Sequence, residues 1–408
     1  MSTGVLITSA TLIDPEDGER TEGWLRTADG KIVERGSGPA PAVGDDVQVI
    51  DAAGASVIPG LIDAHVHLAV TSLNMGDVSS WTQAYAAART FAEAKRMLHR
   101  GFTTVRDVGG ADRGLVRALA EGLASGPRVV HAGHMISQTG GHGDLRSLDE
   151  THRCACDAVS GIAVIVDGVD AMRAAVREEL RQGASFIKIA ASGGVASPHD
   201  HISAVQYTEE ELRAAVVEAE NANTYVTVHA YHPRSMGQAL RAGVTCIEHG
   251  NLLDEPTAQL MKEKDAWLVP TLITYELLAS QGAASGLPAE SIAKVSDVRD
   301  RGLAAYALAH QAGVKVAFGT DLLAEMGVAQ PHEFALRAQV APTADILREA
   351  TVAGADLLGY AGQLGTLAPG AIADLLIVDG DPLEDITLLA RPEQSLRHVI
   401  QRGVVAAP

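Results

Sequence analysis

The chain has 408 residues, 47% of them hydrophobic, 20% charged and only 4% aromatic, with 32 basic against 51 acidic side chains and a formal net charge of −19. Apolar content this high excludes an unstructured chain, and an acid surplus this large is repelled by phosphate backbones and anionic lipid, which excludes nucleic acid and membranes as partners. Three cysteines (Cys154, Cys156, Cys246) cannot build a disulfide framework, residues 1–17 carry no secretory pattern, and no apolar run approaches the ~18–20 residues of a membrane span, so a cytoplasmic protein is expected.

In chain order, the first 58 residues predict short strands at 4–8, 23–26, 31–33 and 47–51, separated by the turn signals Asp29-Gly30 and Gly44-Asp45. The last 50 residues read alike, with strands at 373–379 and 395–405. Neither end is long enough to bury a core alone, so 1–58 and 359–408 are expected to pair as one small β-sandwich domain. Between them, apolar strands at 61–67, 103–108, 128–135, 185–190, 225–229, 245–249, 267–272 and 314–321 alternate with amphipathic helical segments such as 169–182 and 208–221. The second of these segments opens with a capping box, Thr208 followed three residues later by Glu211. Eight such alternations predict an α/β fold, a (β/α)8 TIM barrel over 59–358. A doubly wound sheet uses the same alternation, but polar residues at so many strand ends favour the barrel.

Those strand ends are where the chemistry collects. Of fifteen histidines, His65 and His67 end the first barrel strand, His229 the fifth and His249 the sixth, while Asp321 ends the eighth. Barrel strands converge on one mouth at their C-terminal ends, so these five can meet. In Asp63-Ala64-His65-Val66-His67 the polar residues recur with period two, which sends both imidazoles into the barrel; Tyr225-Val226-Thr227-Val228-His229 has the same parity. A lone histidine there is most often a satisfied core residue, whereas four with an aspartate read as a metal site. Lys188, inside the apolar run Ser185-Phe186-Ile187-Lys188-Ile189-Ala190, would be costly as a cation. It is therefore expected to be a neutral amine that takes up carbon dioxide as a carbamate with one oxygen for each of two metals; the ordinary alternative is a lysine reaching the barrel rim.

The run Val57-Ile58-Pro59-Gly60-Leu61-Ile62-Asp63-Ala64-His65-Val66-His67 resembles the first-strand signature of the amidohydrolase superfamily. The resemblance continues through Gly101-Phe102-Thr103-Thr104-Val105-Arg106-Asp107, Ile187-Lys188-Ile189, His229-Ala230, Ile247-Glu248-His249-Gly250 and Gly319-Thr320-Asp321, in the family's order over nearly the whole chain. Ser137-Gln138-Thr139-Gly140-Gly141-His142, Ser192-Gly193-Gly194, His229-Ala230-Tyr231 and Val269-Pro270-Thr271-Leu272 resemble its binuclear-zinc branch of Xaa-Pro dipeptidases, Xaa-Arg/Lys carboxypeptidases and imidazolonepropionase-related hydrolases. Lys188 argues against imidazolonepropionase activity itself, which resides in a mononuclear enzyme lacking that lysine.

What the resemblance implies is a cytoplasmic homo-oligomer carrying two zinc ions per chain. His65, His67 and Asp321 would hold one, His229 and His249 the other, with carbamylated Lys188 and a hydroxide bridging them. Asp321 would accept the proton of the attacking hydroxide, Tyr231 would donate to the tetrahedral oxyanion, and His142 and Tyr231 would hold the substrate. The expected substrate is a dipeptide or N-acyl amino acid cleaved at its C-terminal amide. Hydrolysis of another amide, carbamate or lactam, such as an aryl amide of an amino acid, is the alternative, and a mononuclear deaminase a more distant one. A pocket for Arg or Lys needs a desolvated acid, for which Asp144 and Asp200 are candidates; one for proline needs an apolar wall. The two histidines of Ser197-Pro198-His199-Asp200-His201 either line the pocket or are ordinary exposed loop residues, the second being the preferred reading. The 144–166 segment, with Arg146, Arg153 and both Cys154 and Cys156, is expected to cover the mouth.

Overall fold

Asp29 and Gly30 take φ of 50° and 75°, the two left-handed residues of the tight hairpin that joins β2 (Arg20–Ala28) to β3 (Lys31–Ser37). They belong to a computed structural model that describes residues 4–73, 80–146, 149, 162–195, 200–282 and 289–407. Ahead of the hairpin lies β1 (Gly4–Ile13); β4 (Val47–Asp51) and β5 (Ser56–Pro59) follow it. The central strands are β6 (Leu61–Val66), β7 (Phe102–Asp107), β8 (Arg128–His131), β9 (Met135–Ser137), β10 (Ala163–Ile165), β11 (Ile187–Ala190), β12 (Val226–Ala230), β13 (Cys246–His249), β14 (Trp267–Val269) and β15 (Lys315–Val316). The chain closes with β16 (Leu375–Val378), β17 (Leu396–Gln401) and β18 (Val404–Ala407).

Both ends of the chain share one sheet of eight strands, ordered β18-β17-β16-β5-β1-β2-β3 with β4 beside β1. The join is antiparallel, Leu375 of β16 opposite Pro59 of β5. Val5, Ile7, Leu12, Leu25, Leu375, Ile377 and Ile400 form a buried cluster on it, so each end supplies the apolar face that the other lacks. The hydrogen-bond network forks at β1, which pairs with β4 over Gly4–Thr8 and with β5 at Thr11 and Leu12.

The central strands are parallel and fall into two arcs, β6-β7-β8 and β10-β9-β11-β12-β13-β14-β15. Single backbone hydrogen bonds join them. Ser185 N donates to His131 O at 2.8 Å on one side; Ala64 N to Phe318 O at 2.7 Å and Asp321 N to His65 O at 2.8 Å lie on the other. The uninterrupted closed ladder expected of a barrel is therefore not formed. The expected strand 128–135 is also divided, because Gly133 turns left-handed (φ 74°) between β8 and β9, and a side chain there would collide with Glu179 Oε2 at 2.2 Å.

Helices α1 (Gln83–His99), α2 (Arg113–Ala120), α3 (Val169–Arg181), α4 (Glu209–Asn221), α5 (Pro233–Ala242), α6 (Glu255–Glu263), α7 (Leu272–Gln281) and α8 (Ala289–Ala312) alternate with these strands. At α4 the capping box forms as expected: Glu211 N donates to Thr208 Oγ1 (3.3 Å) and Thr208 N to Glu211 Oε2 (2.8 Å). Leu212, Ala215 and Val216 of α4 and Met236 and Leu240 of α5 bury against Val226 and Val228 of β12. Each fully buried Val, Leu or Met contributes about 1.5–3 kcal/mol, which commits the other parity of β12 to the interior.

Candidate metal centre

Interior parity delivers His65, His67 and His229 to one place, and a left-handed turn at His249 (φ 71°) brings the fourth imidazole to join them. Ring centroids lie 5.4 Å apart for His65 and His67, 4.9 Å for His65 and His249, and 4.5 Å for His229 and His249. Asp321 Oδ1 sits 3.4 Å from His65 Nε2 and 3.5 Å from His67 Nε2, and Oδ2 is 4.0 Å from His249 Nδ1. One donor atom from each of His65, His67 and Asp321 fits within 4.8 Å of the others, a spacing and donor set suited to a divalent transition metal.

The neighbours of each ring decide which nitrogen is free to bind. Gly109 O, 2.7 Å from His67 Nδ1, can only accept, so Nδ1 carries the proton and Nε2 the lone pair. At His229 the 3.2 Å contact from Nε2 to Gly193 O reverses the choice and leaves Nδ1 free. His249 Nδ1 is engaged by Thr271 Oγ1 (2.9 Å) and the Tyr275 hydroxyl (3.0 Å), which leaves Nε2. Burial holds His229 and His249 well below the usual imidazole range and His67 down to about 4, so these three are neutral and ready to coordinate at physiological pH.

His65 is fixed by a residue the sequence reading left without a role. Its Nδ1 lies 2.6 Å from Glu248 Oε2, and both side chains are fully buried. Burial opposes ionisation of Glu248, but the Arg106 guanidinium 2.5 Å away outweighs it and holds the carboxyl well below its usual range. Thr227 Oγ1 also donates to Glu248, and Arg106 donates further to Ala64 O at 2.6 Å. An ionised Glu248 can only accept, so it fixes the proton on His65 Nδ1 and turns Nε2 toward Asp321. Burial and Lys188 work against a charged His65, but Asp321 and Glu248 prevail and raise its pKa. Replacing Glu248 with Gln is expected to weaken metal binding about 10–100-fold, read by competition with a chelator. Because Arg106 loses its counter-charge, the same variant should unfold about 3–5 kcal/mol more easily. Unchanged metal affinity would refute the orienting role.

The period-two reading sends Glu248 and His249 to opposite faces, yet both reach the same cluster. His249 has φ of 71°, in the left-handed region, and this turn re-aims its side chain at the end of β13. Asp321 is also left-handed (φ 54°) and lies five residues beyond β15. Asp63 ties it in place by accepting from His65 N (3.0 Å), Thr320 Oγ1 (2.6 Å) and Gln330 Nε2 (2.8 Å).

Lys188 is buried opposite Thr227 in the β11–β12 ladder, and its charge acts on all four histidines. Burial pulls its pKa down to about 8, with Glu248 and Asp321 opposing. The shift is toward the neutral amine, the direction that the expectation requires. His142 stacks on His229 at 4.2 Å, an approach that requires Gly194, since a side chain there would overlap the His142 ring at 2.1 Å. Tyr231 lies 4.7 Å from His229 and 5.3 Å from His249, ring to ring, and its hydroxyl accepts from Tyr275 at 2.9 Å. The six expected ligand-type residues, His142 and Tyr231 therefore gather in one region, joined by Glu248, Arg106, Thr271 and Tyr275.

Neither candidate acid is without a counter-partner. Asp144 binds Arg146 at 2.5 and 2.7 Å. Asp200 accepts from Gly194 N (3.0 Å) and Gln206 Nε2 (3.1 Å) and lies 3.8 Å from Lys294 Nζ. His201 is exposed beside Ser203. Arg153, Cys154, Cys156, Ser197, Pro198 and His199 lie outside the described residues.

The pattern of the amidohydrolase family matches residues 56–405. Ochratoxinase of Aspergillus niger is 34% identical over 361 residues, covering 85% of this chain and 75% of its own. A prolidase solved with N-methylphosphonate-L-proline superposes with a TM-score of 0.95 at 46% identity over 98% of both chains. A Xaa-Pro dipeptidase with bound methionine superposes with a TM-score of 0.88 at 29% identity, over 98% of this chain and 99% of its own.

Proposed function

The chain belongs to the amidohydrolase family, and from that premise we propose that it hydrolyses the C-terminal amide bond of dipeptides or N-acyl amino acids. The observation that supports this most is the gathering of His65, His67 and Asp321 donor atoms within 4.8 Å, with His229 and His249 against them and Lys188 buried alongside. His65, His67 and Asp321 would hold one cation, His229 and His249 a second, with Lys188 between them as its carbamate; imidazole donors favour zinc. Such cations supply an activated water and polarise the scissile carbonyl. Asp321 is the group that accepts the proton of the attacking water and passes it to the leaving amine. Burial disfavours its charge, but His65 and His67 outweigh burial and hold it down to about 2, so it stands ready as an acceptor. Tyr231 donates to the developing oxyanion, and His142 receives the substrate carboxylate. This chemistry belongs to the barrel body, 59–358, with 1–58 and 359–408 as the accessory domain, in a cytoplasmic homo-oligomer.

Side-chain preference follows from charge. Asp144 and Asp200 are compensated within the chain, which leaves neither as the acid an Arg or Lys pocket requires. Tyr231 and Tyr275 instead join Val195, Ile273, Leu278 and Leu322 in one buried apolar cluster. Likeness to a prolidase and a Xaa-Pro dipeptidase supports proline or another apolar residue at the C-terminal position. Zinc-loaded protein assayed against Xaa-Pro, Xaa-Phe and Xaa-Arg dipeptides and N-acyl amino acids should favour Xaa-Pro or Xaa-Phe over Xaa-Arg by about tenfold or more in kcat/KM. If every substrate with a free carboxylate failed while neutral amides were hydrolysed, the reading would be wrong. Likeness to ochratoxinase favours one second reading, an aryl amide of an amino acid, which an amino-acid anilide assayed beside that panel tests.

A further inference from the structure

Tyr231 can serve an oxyanion only if its hydroxyl proton is free to point at substrate, and Tyr275 sees to that. Tyr275, buried in α7, donates its hydroxyl proton to Tyr231 Oη at 2.9 Å. A phenol has one proton, so Tyr231 accepts from Tyr275 and keeps its own proton to donate elsewhere.

The donation by Tyr275 is itself directed from the metal centre. Its oxygen lies 3.0 Å from His249 Nδ1, and Thr271 Oγ1 lies 2.9 Å from the same nitrogen. When His249 coordinates through Nε2, Nδ1 must carry the proton and donate, because a neutral imidazole has one donor and one acceptor nitrogen. With Tyr275 Oη as one of the two oxygens this proton reaches, beside Thr271 Oγ1, the row reads His249 Nδ1–H, Tyr275 O–H, Tyr231 O–H, the last aimed at substrate. Hydrogen bonds arranged head to tail in a buried site polarise one another.

We propose that Tyr275 is the positioning residue that makes Tyr231 a hydrogen-bond donor, linking that donor to the ligand state of His249. This rests on the oxyanion role given to Tyr231 above. No atom is transferred along the row in the free enzyme; its only function is to fix orientation and polarity.

The test is a double-mutant cycle in the zinc-loaded full chain with Y275F, Y231F and the pair. Kinetics on the best dipeptide of the panel would be measured beside zinc content and the Kd of N-methylphosphonate-L-proline, whose tetrahedral oxygens stand in for the oxyanion. Phenylalanine preserves the packing of both rings, so the variants keep their fold. Y231F should lower kcat by about 10²–10³-fold. Y275F should lower kcat about tenfold or more with KM within twofold, weaken the phosphonate by a similar factor and leave zinc content unchanged. Added to Y231F, it should cost less than about twofold more, since it acts only through that hydroxyl. Multiplicative losses in the double variant, an unaffected Y275F, or loss of zinc in Y275F would each overturn the inference. An undiminished Y231F would instead overturn the oxyanion role, leaving Tyr275 nothing to position.

Discussion

Asp321→Asn is expected to lower kcat/KM by about 10³–10⁴-fold, the upper range for removing a positioned proton acceptor. The substitution is nearly isosteric, and Asn tolerates the left-handed φ of 54° that this position requires, so the backbone turn survives. What is lost is charge. Asp321 faces the Nε2 atoms of His65 and His67 at 3.4 and 3.5 Å, and a neutral amide there neither attracts a cation as strongly nor accepts a proton from water. Measuring kcat/KM together with metal content separates the two losses: the expected result is a large activity deficit that excess zinc does not repair. Activity within tenfold of wild type would sink the assignment of Asp321 as base.

Replacing Lys188 has two opposite effects, and their sign distinguishes a bridging carbamate from a packing lysine. Lys188→Ala should reduce the metal content from about two to about one per chain and the activity by about 10²–10³-fold, the scale of one preorganised electrostatic contact. Acetate, which offers two oxygens in the vacated space, should restore part of both. For the metal-free protein the expectation runs the other way. The folded-state pKa of about 8 lies below the ordinary 10.5, so protonated Lys188 opposes folding over the whole range below the folded value. That opposition fades as pH rises from about 8 to 10.5. Lys188→Met should therefore raise the denaturant-derived stability of the apo-protein by about 3 kcal/mol at pH 7, with the gain vanishing above pH 10.5. A variant that keeps two metals and full activity would exclude the bridge.

How far the site was readable depended on how regular the backbone stayed. Along β12, period two holds: Tyr225 and Thr227 reach the buried Arg106–Glu248 pair while Val226 and Val228 meet the helices, so His229 could be placed from spacing alone. The α4 cap was equally local, since Thr208 and Glu211 lie three residues apart. Glu248 was not readable, because parity assigns it to the face opposite His249 and only the left-handed turn at His249 brings both inward. Tyr275 and Thr271 were missed for a different reason. The strand expected over 267–272 stops at Val269, and α7 begins with Leu272, Ile273, Thr274 and Tyr275 all buried, so no apolar stripe marks which side faces the site. Gly133 carried the one local sign that the 128–135 run would break, and the apolar residues around it obscured that sign.

The pairing of β5 with β16 also bears on the order in which the molecule can be completed. Pro59 and Leu375 are partners in one ladder yet stand 375 − 59 = 316 positions apart. At a synthesis rate of about 5–20 residues per second, β5 waits on the order of 16–60 s for its neighbour to emerge. During that interval β5 presents an unpaired edge of four residues, Ser56 to Pro59, that are buried in the finished molecule. Pro59 leads within one residue into β6, the strand that carries His65. The first ligand strand can therefore pair early with β7, Leu61 opposite Phe102, but the strand that leads into it gains its second neighbour only when the last tenth of the chain arrives.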